Sequence, residues 1–324
     1  MQAIGITEIT ADKLRPKGFI EKKGREISEA VGKGSAITAL SGGVDSSVVT
    51  VLGHRALGQK LRTYFINNGL MRQDEPRNVA QLFRKLGIQV EIVDAQEEFF
   101  GALKGIFDPE QKREAITQTF YKKVFGRLFK ESGAQYLLQG TILTDVEETV
   151  AGVKRQHNVL QQLGIDPQKA FGYGVIEPLV ELRKDGVRKV ARALGLPEAV
   201  YNRMPFPGPA LAARVVGEAS PERIELVRRA TAIVERELKN VRAFQYMAIL
   251  HEDRFPGLRE GKREYGMQIE VRCWSSVDAR TAKPVWLAPR VLGRLARRLT
   301  SEIPGAVSVT YNIASKPPST MEAV

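Results

Sequence analysis

The chain has 324 residues, 43% hydrophobic and 27% charged, a length and balance that suit two soluble globular domains. It holds no run of about 18 apolar residues and no basic-then-apolar leader, and its single cysteine, Cys273, excludes an intramolecular disulfide and a cysteine-based zinc site. These features predict a cytoplasmic protein away from the membrane, and the net charge of +12 favours highly charged partners. Nucleic acid is a weak candidate among them, because the basic residues are scattered and no basic tail or repeat is present.

In chain order, "GFIEKKGREISEAVGK" (18–33) spaces apolar side chains as an amphipathic helix does, and "SAITAL" (35–40) reads as a short buried strand. "SSVVTVLGHRAL" (46–57) predicts a helix, "LRTYFIN" (61–67) a strand and "PRNVAQLFRKLG" (76–87) a helix stopped by glycine. "IQVEIVDA" (88–95) follows as a strand, 115–132 as a long helix and "AQYLLQGT" (134–141) as a strand. This alternation predicts a doubly wound, mainly parallel α/β sheet whose ligands bind beyond the C-terminal strand ends. At "RMPFPGPA" (203–210) three prolines and a glycine interrupt the pattern. Beyond it a helix (221–239), strands at 243–250 and 266–274, a helix (288–301) and the strand "AVSVTYNIA" (306–314) predict a smaller α+β domain. The expected domains are therefore 1–205 and 206–324.

"LSGGVDSS" (40–47) lies between a predicted strand and helix. Gly42 and Gly43 let the backbone approach an oxyanion, and free amides at the helix start, Val44 among them, favour negative charge. Ser41, Ser46 and Ser47 add hydroxyl donors. Asp45 is unusual beside a phosphate, and reads either as a helix cap or as a ligand to Mg²⁺. The Walker pattern G-x-x-x-x-G-K-[ST] does not fit, for no lysine follows the glycines. A second motif, "QGTILTD" (139–145), falls at another strand end; Gly140 and Thr141 suit adenylate contact, and Asp145 with Glu148 is suited to Mg²⁺. "GIFDPEQKR" offers Lys112 and Arg113 on a segment able to close over ATP, behind a cap at Asp108-Pro109-Glu110. Asp45, Ser46 and Lys112 are the candidate catalytic residues.

"SGGVDSS" resembles the signature loop of the N-type ATP pyrophosphatases, the PP-loop family. The resemblance implies a loop that cradles a leaving pyrophosphate while a substrate carbonyl oxygen attacks the α-phosphate of ATP. Along almost the whole chain the sequence further resembles the ATP-pyrophosphatase and dimerisation portion of GMP synthetase. The stretches that carry this include "FINNGLMR", "QGTILTDVEE", "EPLVELRKDGVRKVARALGLP", "RMPFPGPALAARVVGE" and "SKPPSTME". No amidotransferase domain accompanies them. The likeness implies adenylation of XMP with release of pyrophosphate, amination by ammonia from a separate glutaminase subunit, and a homodimer. Arg203 and Lys316 are candidates for the substrate 5′-phosphate. By resemblance Thr320 and Glu322 bind the same nucleotide, Glu322 accepting from purine N–H groups.

The chain departs from the family pattern at several points. Asn67 stands where the family has aspartate, Met204 where it has histidine, Ala210 where it has glycine, and Ser275 where it has glutamate. Gln156 replaces one of two paired histidines, beside His157, and Leu160 and Gln161 replace glycines. These changes fall on the acceptor side and spare the phosphate loop. Two other readings therefore stay open: a diverged paralogue adenylating another carbonyl, in a small molecule or a tRNA base, and a nucleotide-binding regulatory protein without synthetase activity. His54, His251 and Cys273 are read as structural.

Overall fold

The computed structural model describes residues 5–150, 172–277 and 279–323. Gln156, His157, Leu160 and Gln161 lie outside them. The described residues fall into two compact units. One takes those within Met1–Ile66, Pro76–Asp94 and Tyr121–Arg203, the other those within Asn67–Glu75, Ala95–Phe120 and Met204–Val324. The chain leaves the first unit for the last time between Arg203 and Met204. Segments 67–75 and 95–120, expected in the first domain, cluster with the second.

The first unit opens with α1 (Pro16–Val31), started by a proline in its first turn and stopped by Gly32, whose φ of 54° is the left-handed value an L side chain resists. Phe19, Lys23, Ile27 and Val31 repeat every four residues and form its buried face. Lys23 is tolerated there because Glu181 and Glu26 reach its ammonium at 2.6 and 2.9 Å. Strand β1 (Ala36–Ala39) leads into helix α2 (Val44–Leu57), followed by strand β2 (Leu61–Asn67), helix α3 (Glu75–Lys85) and strand β3 (Glu91–Asp94). Gly53 lets α2 lie close on the sheet, since a Cβ there would come within 2.5 Å of Leu138 and 2.9 Å of Leu61.

After α4 (Gln96–Leu103) and α5 (Pro109–Gln118) the chain winds as a π-helix over Thr119–Phe125 into α6 (Gly126–Ser132). The expected single helix at 115–132 is thus three consecutive helical pieces. Strand β4 (Tyr136–Leu138), helix α7 (Leu143–Val150), strand β5 (Gly174–Ile176) and helices α8 (Lys184–Ala193) and α9 (Glu198–Tyr201) complete the unit. The sheet order is β3-β2-β1-β4-β5, with β1–β2, β1–β4 and β4–β5 all parallel. The order reverses between β1 and β4, so the crevice beyond their C-terminal ends is the topological switch point. "LSGGVDSS" follows β1 and "QGTILTD" follows β4.

The second unit contains α10 (Pro221–Leu238), β6 (Gln245–Arg259), β7 (Lys262–Ser275), β8 (Lys283–Pro284), α11 (Pro289–Glu302) and β9 (Ala306–Tyr311). Ser220 caps α10 by accepting from Arg223 N, with Pro221 in the first turn. β6 and β7 are one antiparallel hairpin turning at Glu260 and Gly261, with φ of 51° and 76°. The strands run far beyond the expected 243–250 and 266–274. Residues 258–263 are exposed and charged around the turn, so the arm lacks the alternating apolar signal that marks a half-buried strand. β8 pairs antiparallel and β9 parallel with β7. Met247, Ile249, Trp274, Ala282 and Met321 form a core cluster that takes in the C-terminal tail.

The proline-rich linker runs into a 3-10 turn, Ala210–Arg214. Ala210 holds φ 55° while 1% exposed, the conformation that glycine adopts without penalty. Left-handed backbone costs an L residue about 1–2 kcal/mol, against about 0.5–1 for the extra freedom glycine brings to the unfolded chain. Ala210→Gly is expected to raise stability by about 0.5 kcal/mol in urea unfolding, and Ala210→Val to lower it by about 2 kcal/mol or more. A glycine variant less stable than the parent by over about 1 kcal/mol contradicts this assignment of strain.

Candidate active site

The phosphate loop is held by its own serines. Ser41 N donates to Ser46 Oγ at 3.2 Å, the two hydroxyls lie 3.0 Å apart, and Ser46 Oγ donates to Gly43 O at 3.1 Å. Gly42 takes φ 77°, turning the chain so that α2 begins at Val44 with Gly43 as its N-cap. No side chain caps this end, which leaves loop amides at a helix start available to an anion. Asp45, second residue of the helix, does not serve as the N-cap. Its Oδ2 lies 2.5 Å from Lys184 Nζ, and its Oδ1 is buried without a hydrogen-bond partner among the described residues. The lysine missing from the loop is therefore supplied by the first residue of α8, 139 positions away. Arg203 also reaches the loop, its Nη1 donating to Gly42 O at 3.0 Å.

Gly140 packs against this helix start. A Cβ there would lie 3.1 Å from both Asp45 C and Ser46 N, so a bulkier residue would press on the loop backbone itself. Thr141 is fully buried, and its hydroxyl donates to Glu177 Oε1 at 2.5 Å while Gln139 Nε2 donates to it at 3.2 Å. Burial pushes the Glu177 carboxyl above its ordinary value, opposed by the Thr141 hydrogen bond and reinforced by the charge of Asp145. Burial likewise raises the Tyr173 phenol to about 12. Asp145 Oδ2 accepts from Ile142 N at 3.1 Å, closing the first turn of α7.

Mg²⁺ fits this donor set through Asp45, whose Oδ1 is the unsatisfied buried oxygen of the loop; Asp145 commits one oxygen to the α7 turn. Glu148 lies one turn further along α7.

The second unit collects the remaining expected residues. Lys112, on α5, is 1% exposed, and its Nζ donates to Val215 O at 2.7 Å. Burial, with the charge of Arg223, lowers it to about 8. Lys112 belongs to the second unit, while the phosphate loop belongs to the first. Arg113, beside it, lies within ion-pair range of Glu110 at 3.5 Å. Lys316 Nζ donates to Ala279 O at 2.8 Å, and Thr320 Oγ1 to Glu322 O at 2.6 Å. Glu322 Oε1 accepts from Gln245 Nε2 at 2.7 Å, and its Oε2 lies 3.4 Å from Arg214 Nε. Arg272 holds the tail backbone through Thr320 O, Met321 O and Glu322 O, at 2.8, 3.3 and 3.1 Å.

Arg272 is in turn fixed by Glu270, whose Oε1 lies 2.6 Å from its Nε and 3.0 Å from Asn312 Nδ2, while Oε2 meets His251 Nε2 at 2.7 Å. Burial alone would raise the Glu270 carboxyl, but the His251 and Arg272 hydrogen bonds and the Arg272 charge hold it down at about 2. Of the departures, Met204 Sδ accepts from Tyr246 N at 3.3 Å, Asn67 Oδ1 accepts from Gly69 N at 3.3 Å, and Ser275 ends β7. Cys273 is buried, which raises its thiol to about 11.

The structure thus gathers Ser41, Gly42, Gly43, Val44, Asp45, Ser46, Ser47 and Gly140 with Arg203 in the first unit, Thr141 following Gly140. Thr320 and Glu322 come together in the second, with Lys316 on the same tail. Lys184 and Glu177 are members of the first site that spacing does not reveal, though "RKDGVRK" after a short strand is their signal. Gln245, Arg214 and Arg272 join Glu322 from 77, 108 and 50 residues away.

Residues 30–142 match the family model described as asparagine synthase, and residues 232–323 the model of the GMP synthase C terminal domain. The chain is 48% identical over 307 residues to the ATP-pyrophosphatase subunit of glutamine-hydrolyzing GMP synthase from Pyrococcus furiosus, covering 94% of this chain and 96% of that protein. The protein of the same name from Archaeoglobus fulgidus is 47% identical, with 94% and 98% covered. That from Methanocaldococcus jannaschii is 42% identical, with 95% and 98% covered.

Proposed function

The chain belongs to the family of ATP-pyrophosphatase subunits of glutamine-hydrolyzing GMP synthase, and from that premise we propose how its residues carry out the ATP-dependent amination of XMP to GMP. It is an ATP-dependent ligase. The observation that carries the reading is the serine-braced loop at the sheet's switch point, with Asp45 paired to Lys184.

The loop amides and the Ser41 and Ser46 hydroxyls bind the β- and γ-phosphates as the pyrophosphate that leaves. Lys184 offsets the Asp45 charge, which would otherwise repel the triphosphate, and Arg203 braces the Gly42 carbonyl so that the loop keeps its curvature. Bound Mg²⁺, held by Asp45 with Asp145 as its second candidate, would neutralise charge on the phosphates. Catalysis is then positioning and charge stabilisation rather than covalent chemistry by a side chain. Gly140 and Thr141 border the adenylate, with Glu177 fixing the Thr141 hydroxyl. Lys112 supports the backbone at Val215 instead of reaching substrate. Glu322, oriented by its partners, accepts from the purine N–H groups of XMP, and Lys316 and Thr320 complete the tail that binds this nucleotide. Ammonia, delivered by a separate glutaminase subunit, displaces AMP from the adenylated XMP. We assign the protein to the cytoplasm and to a homodimer; among the described residues no helix is long and apolar enough to cross a membrane.

The test is pyrophosphate release by the full chain with ammonium as nitrogen source. Release is expected only when ATP and XMP are both present, with one AMP and one GMP per pyrophosphate. Release with ATP that is indifferent to XMP would overturn XMP as acceptor and favour the diverged-paralogue reading, to which the substitutions at Asn67, Met204, Ala210 and Ser275 give some weight.

A further inference from the structure

Arg214 ends the 3-10 turn after the proline-rich linker and is 0% exposed. Its guanidinium has one ionic contact, Nε to Glu322 Oε2 at 3.4 Å, and lies 4.9 Å from the centre of the Phe206 ring. Nη1 and Nη2 are buried with no hydrogen-bond partner among the described residues. A buried cation with two unsatisfied nitrogens weakens a fold relative to an apolar side chain of similar volume. Packing therefore does not account for an arginine here.

Glu322 shows what the arginine does. Gln245 Nε2 donates to its Oε1, and the same amide lies 3.2 Å from Pro205 O, which fixes the amide plane. Arg214 takes Oε2. Each carboxylate oxygen thereby keeps one protein donor and one lone pair direction for another donor. The Glu322 side chain stays 19% exposed, so a ligand can reach it. Its backbone is held separately by Arg272 and the Thr320 hydroxyl. A glutamate two residues from a chain end is ordinarily free to sample many rotamers, and ordering it on binding weakens affinity.

We propose that Arg214 is a positioning residue for the acceptor nucleotide, holding the Glu322 carboxylate, together with Gln245, in the orientation that accepts purine N–H donors. This rests on the reading of Glu322 as a nucleotide contact. Arg214 contributes selectivity for the acceptor at the expense of fold stability, and it acts on XMP only through Glu322.

A double-mutant cycle on the full chain tests it, with ammonium as nitrogen source and AMP formation as the readout. Arg214→Met is expected to raise KM for XMP about tenfold, the effect of releasing one charge-assisted hydrogen bond and one ordered side chain, while KM for ATP changes less than about twofold. Its melting temperature is expected to equal or exceed the parent's. In the Glu322→Gln background, Arg214→Met is expected to add less than about twofold, because the group it positions is already altered. The full tenfold penalty in that background, or an equal rise in KM for ATP, overturns the proposal and leaves Arg214 a structural residue. An unchanged XMP KM in Glu322→Gln alone instead overturns the reading of Glu322. Should the methionine variant fold poorly, Arg214→Lys keeps the cation but loses the planar fork and decides the point by the same cycle.

Discussion

Lys184→Met is expected to lower kcat/KM for ATP in pyrophosphate release by about 100- to 1,000-fold, the range found when one preorganised charge-stabilising group is removed from an active site. Asp45 places a carboxylate at the start of α2, where an arriving triphosphate also carries negative charge, and Lys184 Nζ at 2.5 Å is the cation that offsets it. Without the lysine the loop keeps its amides and serines but presents an uncompensated anion. The pair contributes little to stability, because its side chains are 47% and 23% exposed and such bridges are worth about 0–1 kcal/mol. The melting temperature should therefore stay within a few degrees of the parent while activity collapses, and Lys184→Arg should restore part of the rate. A loss of less than about fivefold would remove Lys184 from the catalytic machinery.

The second large effect is expected in the other unit. Glu270→Ala leaves Arg272 buried without its carboxylate and frees His251 and Asn312, at a cost of about 3–5 kcal/mol in urea unfolding. Because Arg272 gathers three carbonyls of the tail, the same substitution should raise KM for XMP more than KM for ATP. The pH dependence follows from the depressed carboxyl. Glu270 titrates at about 2 in the folded protein against an ordinary value of 4.5, so its ionised form stabilises the fold fully above 4.5. That stabilisation, about 3 kcal/mol, is lost as pH falls from 4.5 toward 2. Glu270→Gln should flatten the unfolding profile across this window. An unchanged slope would show that the acid sensitivity of the protein arises elsewhere.

These two predictions divide the molecule as sequence legibility does. The alternation of apolar runs with amphipathic stretches is enough for a doubly wound sheet, because a buried parallel strand and the helix that covers it each leave a periodic mark. The phosphate loop is legible for a similar reason: Ser41, Gly42, Gly43, Asp45 and Ser46 are consecutive or nearly so, and the chemistry of a helix start depends on neighbours in the chain. Short or polar elements leave no such mark. β5 has three residues, and the outer part of the β6–β7 hairpin is exposed around its turn.

The acceptor side shows the other limit. Asn67, Met204, Ala210 and Ser275 are visible as departures, yet only the backbone dihedrals show that Ala210 occupies a left-handed position suited to glycine. Lys112 reads as a mobile base from its place behind a helix cap, and burial on Val215 is a fact of packing that no spacing encodes.

What the sequence determined by itself was local: strand and helix periods, the pyrophosphate-cradling loop, and the family to which its motifs belong. Tertiary structure alone decided which charges meet. Lys184 comes to Asp45, and Arg214, Gln245 and Arg272 come to the tail that carries Glu322, because hydrogen bonds and ion pairs act over about 3 Å of space whatever the distance along the chain.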